Sequence, residues 1–178
     1  MARGTSFEGF SFELHAAGSR SSQFVIEAQR GDAAAFQELV QSYDATVMRI
    51  TLALTGSHDS AQEIYLRVFR DAFASVNKLD SSRSVFVWLH QILIKHCIEY
   101  CRGRQGYSAT NGPRNLAEVL CALPPTERVV FLLKHSQGLK IGTVAEIFGC
   151  SAERIANILE SATIALRAEL KPPFPKIA

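Results

Sequence analysis

His96, Cys97 and Cys101 come nearest, by type and spacing, to chemistry: an imidazole and two thiols on one helix can ligate a metal or exchange a disulfide. The other two cysteines, Cys121 and Cys150, complete no zinc-type pair, and in a reduced compartment buried thiols behave as ordinary small apolar side chains. His15, His58, His90, His96 and His135 are scattered without ligand spacing and read as surface or capping residues. There is no phosphate-cradling glycine loop, no nucleophile motif and no pair of carboxylates on one helical face. The residues therefore predict neither a catalytic site nor a cofactor, and the chemistry left to the chain is that of contact with partners.

Those contacts need elements to carry them, and the clearest lie between Leu123 and Leu170. Leu123-Pro124-Pro125-Thr126 opens a helix, because proline at a first helical position gives up only an amide that has no intrahelical acceptor. Val129, Val130, Phe131, Leu132 and Leu133 fill its buried side. Gly138 stops it, a short helix holds Ile141, Val144, Ala145, Ile147 and Phe148, and Gly149-Cys150-Ser151 turns the chain with Ser151 as N-cap. A third helix runs from Ala152 to about Leu170. Two helices joined by a glycine-containing turn, the second free to enter a major groove, form a helix-turn-helix.

The run from Ala122 to Leu139, followed by Val144 to Ser151, resembles region 4 of the extracytoplasmic-function sigma factors of bacterial RNA polymerase. The first half of the chain is similar to region 2 of the same family. Ala35 to Tyr43, Leu54-Thr55-Gly56, Ser60 to Phe73 and Val85 to Ile92 carry that likeness, in the family's order and spacing. Helical periodicity supports it: Phe24, Val25 and Ala28 mark a short helix, Ala33 to Leu54 a long one, Asp59 to Val76 a third, and Arg83 to Arg102 a fourth. No strand pattern interrupts them. The expected fold is all-α, in two small helical domains: residues 1–22 as a mobile extension, 23–104 as a region 2-like four-helix bundle, 105–115 as a flexible linker, 116–171 as the helix-turn-helix domain, and 172–178 as a tail.

The resemblance implies a protein that binds core RNA polymerase and promoter DNA, is held by an anti-sigma factor, and initiates transcription without being an enzyme. It assigns the polymerase clamp to Gln62, Glu63, Leu66 and Arg67. It assigns DNA to Phe86, Trp88, Lys95, Arg102 and Arg104 in the first half, and to Ser151, Arg154 and Asn157 in the second. At several of these positions the chain departs from the family. Arg67 stands where a carboxylate is usual, and Ala156, Ile158, Glu160, Ser161, Thr163 and Ile164 stand where lysines and arginines are common.

Charge follows the same trend. Gln23 to Arg104 holds nine Lys or Arg against nine Asp or Glu, and Leu123 to Lys171 holds six against five, so neither half is a basic domain. Because phosphate neutralisation supplies most non-specific DNA affinity, weak autonomous DNA binding is expected. A second reading stays open, a sigma-like interaction module that mimics the fold toward an anti-sigma factor and has lost most DNA contacts. With no apolar run of membrane-spanning length and no signal peptide pattern, a cytoplasmic location and no membrane insertion are expected. The glycine-rich stretch from Gly103 to Asn115 lacks apolar periodicity, so limited proteolysis should cut there first; early cleavage inside either helical block, with that stretch protected, would count against the division.

Overall fold

Apolar residues recur at three and four through each long segment, and each such segment is helical. The computed structural model describes residues 18–80, 83–103 and 116–170, which contain nine α-helices and no strand. They are α1 (Gly18–Gln29), α2 (Ala33–Gln41), α3 (Asp44–Thr55), α4 (His58–Ser75), α5 (Val85–Gly103), α6 (Leu116–Ala122), α7 (Pro125–His135), α8 (Ile141–Phe148) and α9 (Ala152–Glu169). Side-chain caps fix two helix starts, at Asp32, which was not foreseen, and at Ser151, as expected. The Asp32 carboxylate accepts from the amides of Ala34 and Ala35 at 2.8 and 3.1 Å, and Ser151 Oγ accepts from the Arg154 amide at 3.2 Å. Pro125 sits in the first turn of α7. Gly149 closes α8 at φ +63°, a left-handed position that a side chain would strain.

Four boundaries differ from the sequence expectation. The helix expected over Ala33 to Leu54 is two helices, broken at Ser42-Tyr43, where the Tyr43 amide bonds back to Val40 at 2.9 Å and the Tyr43 carbonyl starts α3. Val40 and Val47 remain seven residues apart across that break, so periodicity runs through it unaltered. α1 begins at Gly18, inside the stretch expected to be a mobile extension; residues 1–17 and 171–178 lie outside the described residues. α4 ends in a short 3₁₀ turn, Val76–Lys78, fastened by the Gln29 side-chain amide donating to the Val76 and Leu79 carbonyls at 3.2 and 2.6 Å. α6 was not foreseen, because seven residues with one buried position, Val119, give no readable period.

The central helix is α5, and its residues are apolar on two sides. Leu89, Leu93, His96 and Tyr100 form one stripe at helical spacing, turned toward α4, where His96 Nε2 donates to Asp71 at 2.9 Å. Val87, His90, Ile94, Cys97 and Cys101 form a second stripe, also buried, at intervals of three and four residues. α7 is likewise buried nearly all round, through Arg128, Val129, Val130, Leu132 and Leu133. A helix apolar on most of its circumference requires cover on most of it. α5 accordingly packs on α4 and also on α7 and α8, and α7 packs on α3, α5, α8 and α9. The result is one continuous core from Val25 to Leu159 that runs through both helical halves, with a smaller cluster of Val119, Leu123, Ala162 and Leu166 under α6.

Leu89 is fully buried in that core, so Leu89→Ala should lower unfolding free energy by about 2–5 kcal/mol in a denaturant titration. Leu66→Ala, at a site 59% exposed, should stay within about 0.5 kcal/mol of wild type.

Candidate functional site

α4, α5 and α9 carry the candidate residues on separate outward faces. On α4, Gln62, Glu63, Leu66 and Arg67 are all exposed. Glu63 and Arg67, one turn apart, pair at 2.5 Å. Both are more than half exposed, so the pair contributes no more than about 0.3–0.5 kcal/mol. Its local effect matters more, because Arg67 neutralises the carboxylate that a basic partner would seek. Leu66, with Phe73 seven residues on, makes this face apolar as well as polar. Beside it, Glu63, Ile64, Arg67, His96, Glu99, Tyr100 and Gly103 line a cleft of about 290 Å³ between α4 and α5.

α5 has a third side, outside both buried stripes, on which Gln91, Lys95, Ile98 and Arg102 recur at three and four; Lys95 and Arg102 are exposed there. The aromatic pair lies elsewhere. Phe86 is half-buried, with its ring centroid 3.9 Å from that of His90 and 6.2 Å from that of Tyr43. Trp88 is only 9% exposed and belongs to the core, so in this arrangement it presents no open face on which a base could stack. Arg104 lies outside the described residues.

Ser151, Arg154 and Asn157 stand exposed along the N-terminal half of α9, next to the glycine turn that aims the helix. Its inner side is Ile155, Leu159, Ala162 and Leu166. The outer side continues into Glu160, Ser161 and Ile164, the last 61% exposed, and the Ser161 hydroxyl donates to Glu127 at 3.0 Å. A helix so sparing of cations can read a base edge but adds little to phosphate affinity.

Two histidines read as surface or capping residues are instead buried, His90 at 1% and His96 at 7% exposure. Each sits on one of the buried stripes of α5, a placement that only the packing of a second helix could reveal. Burial holds His90 below its ordinary value, with Nδ1–H donating to the Phe86 carbonyl at 2.8 Å and Nε2 without a partner among the described residues. Burial also pushes the Cys97 and Cys101 thiols up, with Arg128 opposing it. Such protonated, enclosed thiols are inert. Among the described residues no group of three or more His, Cys, Asp or Glu could hold a metal, and no helix is long and apolar enough to cross a membrane.

Known proteins bear out the likeness. No protein-family model matches the chain. Among curated proteins it is similar to the probable RNA polymerase sigma factor RfaY of Xanthomonas campestris pv. campestris, 26% identical over 180 aligned positions. That alignment covers 85% of this chain and 44% of RfaY, so the chain spans less than half of that relative's length. Among solved structures, CnrH in complex with the cytosolic domain of CnrY superposes with a TM-score of 0.63 at 18% identity, covering 84% of this chain and 96% of that one. The sigma factor RpoE of Bartonella quintana, in complex with the anti-sigma factor NepR, gives 0.59 at 18% identity over 78% and 98%. The chain has the fold of the extracytoplasmic-function sigma factors. The first half of the described residues runs from α1 to α5 and the second from α6 to α9.

The buried titratable groups of α5 set a pH window. His90 is held below 6.5, so as pH falls through that value the unfolded chain takes up a proton that the folded chain refuses, and stability is lost. The thiols are held above 9.0, so stability is also lost as pH rises past that value and the unfolded chain releases protons that the folded chain keeps. Urea midpoints measured across pH should therefore form a plateau between these two values. In His90→Leu the acid limb should flatten while the alkaline limb stays.

Proposed function

We propose that the chain is an extracytoplasmic-function-type sigma factor that acts in the cytoplasm, binding core RNA polymerase through α4 and directing it to a promoter through α5 and α9. The observation that carries this reading is the coincidence of two things: a sigma fold over both halves, and faces on α4 and α9 left largely exposed by the packing of the described residues. Likeness to the sigma factor RfaY supports it from sequence. Lys95 and Arg102 on α5, and Ser151, Arg154 and Asn157 on α9, would then meet promoter DNA. Few of them neutralise phosphate, so the polymerase supplies the affinity and the chain supplies position. An anti-sigma factor is the regulator this reading implies, as RpoE has in NepR. The two halves would work as separable domains joined through residues 104–115.

One observation favours a second reading. The outer side of α9 carries Ile164 at 61% exposure among few cations, which suits a protein groove better than a phosphate backbone. In that reading the chain is a sigma-like module that occupies an anti-sigma factor.

Core binding separates the two. If α4 meets the clamp, Glu63→Lys should abolish binding to purified core enzyme while circular dichroism stays unchanged, because Glu63 is exposed and its pair with Arg67 is weak. Arg67→Glu should strengthen binding by freeing Glu63 and adding a second carboxylate toward a basic partner, at a helix cost of a few tenths of a kcal/mol for the like-charge pair. Failure of all three proteins to bind core would favour the interaction module, and binding that neither change alters would move the contact off α4.

A further inference from the structure

We infer that the free chain is held shut by its own second half, with α7 and α8 seated on the second stripe of α5 and Arg128 serving as the latch. Arg128 belongs to α7, yet its Nη2 donates to the carbonyl of Leu54, in the last turn of α3 in the other half. A cation at the C-terminal end of a helix meets the carbonyl end of its dipole. Arg128 is 8% exposed, and its charge is felt by the Cys97 and Cys101 thiols, so the second stripe of α5 is the side that faces α7. At the rim, Arg49 of α3 donates to Gln137, just past α7, at 3.0 Å. Parting the halves would uncover Val87, His90, Ile94, Cys97 and Cys101 together with an arginine whose Nε already lacks a partner.

The residue types on that stripe agree with closure as a resting state. Ile94 is 8% exposed, and a cation there would be buried against α7 and α8. Lys95 and Arg102 lie on the free side of α5, so closing the halves leaves the DNA-facing residues uncovered. What closing removes is the freedom of the two halves to reach separate sites. A partner that engages them apart must select an open minority, and its apparent affinity falls by the open fraction. This consequence rests on the sigma-factor reading; the closure itself does not.

Small-angle scattering and amide exchange on the full chain test it. Wild type should have a radius of gyration near the roughly 16 Å of a compact body of its length, with slow exchange along α5 and α7. Arg128→Glu sets a carboxylate against the Leu54 carbonyl, while suiting the N-terminal part of α7. Ile94→Arg places a cation under α7 and α8. Both should enlarge the particle and release α5 protection with helical content unchanged in circular dichroism. If core polymerase is the partner, both should also bind it more tightly than wild type. An extended wild type, or variants as compact and as protected as wild type, overturns the latch. If either variant loses helix, the wild-type scattering and exchange still decide closure. Opening without any gain in polymerase binding leaves the latch standing and removes the polymerase reading instead.

Discussion

Two helices carry more apolar surface than either half of the chain can cover. α5 is buried on the α4 side and again along Val87 to Cys101, and α7 is buried around most of its circumference. Apolar surface left in water costs roughly 25 cal/mol per Å², so each of these helices needs a neighbour on both sides. Each half supplies one of those neighbours and the other half supplies the second. That mutual need makes a single core out of two helical units, and it leaves the candidate contact faces on the outside, on α4, on the third side of α5 and on α9.

The surfaces available to partners are correspondingly modest in charge. Arg67 neutralises Glu63 on α4, and α9 offers Arg154 and Arg167 against Glu153, Glu160 and Glu169. Exposed ion pairs of this kind contribute little to stability, so the pattern bears on recognition more than on folding. Under the proposed sigma-factor reading, a chain with so few cations would depend on a larger partner for DNA affinity, whereas its apolar points, Leu66 and Phe73 on α4 and Ile164 on α9, offer contacts that salt does not weaken.

The buried polar groups show where the packing was bought with some strain on polar satisfaction. Among the described residues His90 Nε2 and Arg128 Nε are enclosed without partners, and such groups cost about 1–3 kcal/mol apiece when left unmet. Both belong to the surfaces on which the halves meet. Interfaces that hold unsatisfied donors and acceptors are poised to open more readily than an all-apolar core would be.

Much of this was legible in the residues. The helix-turn-helix follows from Pro125, Gly138, Gly149 and Ser151, because caps and left-handed turns depend on backbone geometry that only a few residue types satisfy locally. The all-α class came from periodicity, for the same local reason, and the sigma likeness came from resemblance to the family's motifs in their order. The break at Ser42-Tyr43 stayed hidden because it preserves the seven-residue spacing, and α6 because it is too short to show a period. Burial of His90 and His96 and the reach of Arg128 to Leu54 could not be read at all. Periodicity tells that a side is apolar but not which distant helix covers it; α5 presents two such sides, and only the three-dimensional packing assigns one to α4 and the other to α7 and α8.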